Sequence, residues 1–145
     1  MPYPPIQSLL PHEPPMLWID EVLSHEGELV VCRLTIRAEH VFVEDGVVEP
    51  LIAIEWMAQS VATLVGLWDR SNDLDPRPGF LIAIPEARFE VDEFRVGDQL
   101  TLRARRVWGD DQLASFECEV ERLGLVVATA QLSVYRRASS RRSPA

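Results

Sequence analysis

PLIAIEWMAQSVATLVGLW, residues 50–68, is the stretch that decides the fold of this chain: only Glu55, Gln59, Ser60 and Thr63 interrupt an otherwise apolar run. Pro50 stands at a favoured first helical position. A helix that is apolar around its circumference is buried around its circumference, so the remaining chain must supply a wrapping. Downstream, residues 69–79 are polar with two prolines and read as a loop. Beyond them the period changes to two. Residues 80–84 form a short apolar run, and Ala87, Phe89 and Val91 alternate with Arg88, Glu90 and Asp92. Leu100, Leu102 and Ala104 then alternate with Thr101, Arg103 and Arg105. Ala114 to Val120 and Val126 to Val134 do the same, with turns at Gly97-Asp98, Gly109-Asp110-Asp111 and Gly124. Upstream, 28–39 alternates cleanly, with Val30, Cys32, Leu34 and Ile36 on one face. Residues 16–23 read as a short strand before a turn at Gly27, and 38–49, which contains Gly46, as a loop. The proline-rich first 16 residues predict short turns anchored by Ile6, Leu9 and Leu10. Alternating strands around one buried helix predict an α+β fold, an antiparallel sheet wrapped around one long central helix. Such a sheet leaves an edge for a second copy, and a homodimer, with higher assembly open, is the expected outcome.

At 145 residues with 47% apolar content, the chain predicts one domain over residues 1–135, with an Arg/Ser-rich tail at 136–145 expected to be disordered. The net charge is −9, and the tail carries four arginines and no acid, which leaves −13 on residues 1–135. So acidic a body predicts no nucleic-acid partner. All 14 basic residues are arginine, and the absence of lysine excludes Schiff-base chemistry and a P-loop. Cys32 and Cys118 each sit in an alternating apolar run and read as small buried hydrophobes, a disulfide being the lesser expectation. No CxxC or HExxH spacing occurs, so neither a metal nor a cofactor is expected. No secretory leader and no membrane span is read in the sequence, and a cytoplasmic location is the expectation.

Four segments, in order, carry a resemblance. LLPHEPPMLWIDEV at 9–22, IEWMAQ at 54–59, PEARF at 85–89 and RVGDQL at 95–100 are similar to the LLPHRxPFLLVDRV, EAMAQ, KARF and VxPGDQL elements of the hotdog-fold beta-hydroxyacyl-acyl-carrier-protein dehydratases. The closest flavour is the divergent branch associated with aryl-polyene-type pathways. The resemblance implies the hotdog fold, a 3-hydroxyacyl thioester on acyl carrier protein or CoA as substrate, and pockets that take acid and base from opposite protomers. The family's helix acid falls on Glu55 and its following glutamine on Gln59. Its GHFP histidine has no counterpart: aligning from the helix puts the place near Val41, aligning from the preceding strand puts it near Asp45, and His40 is the only histidine nearby.

Dehydration needs a base for the proton beside the carbonyl, an acid for the departing hydroxyl, and stabilisation of enolate-like charge, which helix N-terminal amides supply. Glu55, near the helix start among apolar neighbours, is the candidate acid, and Gln59, one turn on, its orienting partner. His40 is the candidate base, while Gly46, Trp56 and Phe80 are candidate substrate contacts. His12, in PHEPP, is expected to fix the N-terminal turn, and His25 to be a solvated turn residue. Arg103, Arg105 and Arg106 form the densest basic cluster before the tail and are candidates for holding a carrier protein or its phosphate arm. A thioesterase using Glu55 to activate water, and a non-catalytic acyl-binding or partner subunit, are the competing readings.

Overall fold

A computed structural model describes residues 3–75 and 77–138. Strands β1 (Glu21–Glu26), β2 (Leu29–Thr35), β6 (Gln99–Gly109), β7 (Leu113–Arg122), β8 (Leu125–Arg136) and β4 (Gly79–Phe89) form one antiparallel sheet in the order β1-β2-β6-β7-β8-β4. A two-stranded ribbon pairs β3 (Val47–Val48) with β5 (Phe94–Arg95). The helix α1 (Ala53–Ser71) lies in the curl of the large sheet, packed on β6, β2, β7 and β8. By length and composition the 22 residues Pro50–Ser71 could cross a membrane; here the sheet supplies their apolar surroundings instead. Along β2, β6, β7 and most of β8 the alternation read from the sequence is the alternation of burial; it slips at the start of β8, where Val127 is buried and Val126 exposed beside a register shift, and on β4, where Ala87 is exposed and Phe89 only part-buried. Leu100, Leu102 and Ala104 face the helix with Ala114, Phe116, Cys118 and Val120, and with Ala128, Ala130, Leu132 and Val134.

Four expectations are corrected. The strand expected at 16–23 begins only at Glu21, because the Trp18 amide N–H donates to the Gln59 side chain across the fold (2.9 Å) and Met16 closes a turn onto Glu13. The run at 80–84 and the first part of the run at 87–91 are one strand, β4, which ends at Phe89 and is continuous through Pro85 with two register shifts. Proline is tolerated there because β4 is an edge, where a missing N–H breaks no ladder bond. Arg136 belongs to β8 and is buried, so the domain runs past residue 135; residues 139–145 of the expected tail lie outside the described residues. Finally, α1 is not covered on every side. Ile54, Glu55, Ala58, Ala62 and Gly66, spaced mostly at i, i+4, are only part-buried and leave a stripe open.

The far end of α1 is pinned by charge. Asp69 Oδ1 accepts from Arg77 and Oδ2 from Arg136, each at 2.7 Å. Asp111, on the β6–β7 turn, accepts from the same two guanidiniums at 2.9 and 2.8 Å. Two acids and two arginines thereby join helix, loop, hairpin and last strand. The thiols of Cys32 and Cys118 are both buried and unpaired, and burial pushes Cys32 up to about 12 and Cys118 higher still. Neither is poised as a nucleophile at neutral pH.

Candidate active site

Glu55 is the third residue of α1, nearer the helix start than its distance from Pro50 suggests, because Pro50–Ile52 forms a separate 3-10 turn. That turn uses amides the sequence pattern predicts to be available: Ile52 N–H donates to Glu49 and Ala53 N–H to Pro50. Stabilisation of developing negative charge therefore falls to the positive end of the helix dipole more than to open amides.

The Glu55 side chain is 35% exposed and held in a fixed frame. Gln59 Nε2 donates to Glu55 Oε1 (2.9 Å) and to the Met16 carbonyl (2.8 Å), while Gln59 Oε1 accepts from Trp18 N–H. One buried amide thus ties the carboxylate to the N-terminal segment. His12 arrives from that same segment, its Nε2 at 3.5 Å from Glu55 Oε1. Gly66 permits the approach: a Cβ there would stand 2.9 Å from the Leu9 carbonyl oxygen, so only glycine lets this segment lie on the helix. Pairing His12 with Glu55 was not readable from the sequence, where 43 positions separate them. The available signal was that His12 and Glu55 fall in two segments of the same family resemblance.

The open stripe of α1 floors a groove of about 500 Å³. Glu55, Gln59 and His12 stand at one end; Ala58, Val61, Ala62 and Val65 form the apolar floor; Leu9, Leu81 and Val134 form walls; Asp69 and Arg77 close the far end. The volume suits a small-molecule chain, and the fourteen steps of helix from Glu55 to Asp69 span about 21 Å.

The other candidates lie elsewhere. His40 is buried, stacked on Trp18 with ring centroids 4.2 Å apart. Its Nδ1 accepts from Arg37 N–H (2.9 Å) and its ring also bonds the Leu17 backbone. Burial, then the nearby Arg37 charge, lowers its pKa, so the neutral ring is the favoured form. Its Nδ1 lone pair is committed to the Arg37 N–H. Trp56 is fully buried between Trp18 and Phe94 and does not line the groove. Phe80 is exposed on β4, opposite Tyr135, and is also absent from the groove lining. Gly46 sits in the turn before β3, where its positive φ of 77° and a carbonyl bonded by Val96 N–H give it a backbone role. His25 bonds the Gly27 carbonyl. Arg103 faces Glu119 and Glu121 at 3.6 and 3.5 Å, and Arg106 pairs with Glu28 and lies over Trp68. Among the described residues Arg105 is the one member of that cluster without a bonded acid. With Arg103 it borders an open, polar hollow of about 530 Å³ on the outer face of the sheet.

The model of the ApeP-like family, described as ApeP dehydratase, matches residues 4–143. This chain belongs to the ApeP-like dehydratase family. A solved chain of the dehydratase heterocomplex ApeI:P from Xenorhabdus doucetiae superposes on this ApeP-like protein with a TM-score of 0.87 at 28% identity, covering 94% of this chain and 93% of that one. The 3-hydroxyacyl-[acyl-carrier-protein] dehydratase FabZ of Brucella ovis is 28% identical over 134 residues, 87% of this chain and 82% of the relative. The Escherichia coli PaaI protein of phenylacetic acid degradation, at 14% identity and TM-score 0.61, shares the fold alone over 79% of this chain and 81% of that one. The architecture of the ApeP-like chain is the hotdog fold: one antiparallel sheet curled around one central helix.

Proposed function

We propose that this ApeP-like protein removes water from 3-hydroxyacyl chains carried by acyl carrier protein. In this reading the acyl chain lies along the groove over α1 and its thioester end stands at Glu55, which gives a proton to the departing hydroxyl. One observation carries the proposal: a carboxylate free of any arginine among the described residues, fixed by a buried glutamine, stands at one end of a groove with an apolar floor, while the groove's other carboxylate, Asp69, is tied to Arg77 and Arg136 at the far end. The FabZ relatives support the substrate class. Purified protein given 3-hydroxyacyl and 2-enoyl carrier-protein thioesters is expected to interconvert them. Release of thiol from acyl-CoA without any water loss would replace this reading with hydrolysis.

The assembly we propose is a dimer formed through β4. This edge strand exposes Phe80, Leu81, Ile82 and Ile84 and, among the described residues, pairs only with β8. Unprotected apolar edges are rare in solitary domains because they template pairing. A second β4 would complete the sheet and roof the groove, whose wall includes Leu81. The partner is a second copy in the first instance. The similarity to a member of a heterocomplex supports an unlike subunit as the second reading. Ile82→Lys is expected to halve the mass measured by light scattering. A wild-type chain that is monomeric when purified alone would turn the proposal to the unlike subunit.

A further inference from the structure

We propose that His12 is the base of this site, working with Glu55 of the same protomer. The inference rests on the dehydratase reading above and names the group that reading lacks. Of the three histidines, His40 has its Nδ1 lone pair bound by Arg37 N–H and stacks on Trp18, and His25 is bonded to Gly27 at the β1–β2 turn. His12 alone lines the groove. Its Nδ1 is buried without a hydrogen-bond partner among the described residues. Nε2 is its reactive nitrogen, 3.5 Å from Glu55 Oε1 and within the looser range usual before substrate binds. Gln59 occupies Oε1 by donating to it, which leaves Glu55 Oε2 without a bonded partner among the described residues. Acid and base thus stand side by side at the end of the groove, both tied through Gln59 and the 9–18 segment.

The proton account closes within this pair. His12 Nε2 takes the proton from C2 of the 3-hydroxyacyl thioester. The released electron pair forms the C2–C3 double bond, and the C3–O bond breaks. The departing oxygen takes the proton of the Glu55 carboxyl and leaves as water. The His12 imidazolium then returns its proton to the Glu55 carboxylate across their contact, restoring both groups. No other reactant is needed.

The test uses the full chain, in whatever assembly it purifies, with 3-hydroxyacyl carrier-protein thioester. His12→Ala is expected to lower kcat by about 10²-fold, within the range for loss of a general base. Because His12 is 28% exposed in an open groove, imidazole in the buffer can enter the vacated space and is expected to restore part of the rate. His12→Gln, which keeps bulk and polarity, is expected to be as slow as His12→Ala, with thermal unfolding near wild type for both. A His12→Ala rate within about threefold of wild type overturns the assignment. So does a loss that imidazole leaves unrelieved, since that marks a structural role. Failure of the dehydratase reading itself looks different: the wild-type protein would then turn over no 3-hydroxyacyl thioester at all.

Discussion

Glu55→Gln is expected to reduce dehydration by about 10⁴-fold, the upper end of what a positioned proton donor contributes. The substitution is nearly isosteric. Its amide oxygen can still accept from Gln59, so the frame of Gln59, Met16 and Trp18 should persist. What disappears is the transferable proton. KM should therefore change little while kcat collapses, the pattern of an interaction made in the transition state. The variant should also melt close to wild type, because a part-exposed carboxylate with one neutral donor contributes little to stability. A Glu55→Gln enzyme keeping a tenth or more of the wild-type rate would remove Glu55 from the chemistry. The groove would then be a binding surface, and the non-catalytic reading would take its place.

Asp69→Ala is expected to be the most damaging change to stability, costing about 3–5 kcal/mol, as for other buried ion pairs deprived of one member. The Asp69 side chain is 3% exposed and bonds two guanidiniums that are almost as buried. Without it, Asp111, whose side chain is half in water, is the one acid left to Arg77 and Arg136 among the described residues, and Arg77 otherwise keeps only the Arg137 carbonyl. Arg77 Nε is already buried without a partner, so the cluster has no spare acceptor. Thermal unfolding should fall by roughly 10 °C or more for a domain of this size. Replacing Asp69 together with both arginines by apolar residues should recover much of the loss, since no charge is then stranded. A single-variant loss below about 1 kcal/mol would show that water or Asp111 compensates. The same interactions hold the Asp111 carboxyl below the usual range, through its hydrogen bond from Arg77. Its contribution is present above about pH 4, the unperturbed value, and is lost as pH falls through the depressed one.

Much of the architecture was legible in the sequence because it rests on period and polarity. Residues 50–68 read as a helix to be wrapped, which the sheet does on all but one stripe, and the alternating runs at 28–39 and beyond residue 99 read as strands with one wet face. Glu55 was legible for the same reason, as a charge inside an apolar run, and Gln59 by its one-turn spacing. Strand β4 was legible only in pieces. Pro85 argues against a strand, and only its edge position makes the residue harmless. The expected roles of Trp56 and Phe80 depended on which way each side chain turns, and packing against Trp18 and Phe94 decided the first.

The sequence by itself determined one helix, a wrapping sheet and one carboxylate worth questioning, because hydrophobic periodicity is a local property of neighbouring residues. Tertiary structure alone decided which histidine stands beside Glu55, that His40 is spent on Arg37 and Trp18, and that Arg136 belongs to the core. Those outcomes depend on groups far apart in the chain meeting in space: 43 positions for His12 and Glu55, 67 for Asp69 and Arg136, and 22 for Trp18 and His40. No local pattern encodes such meetings, because they follow from how the whole sheet closes over the helix.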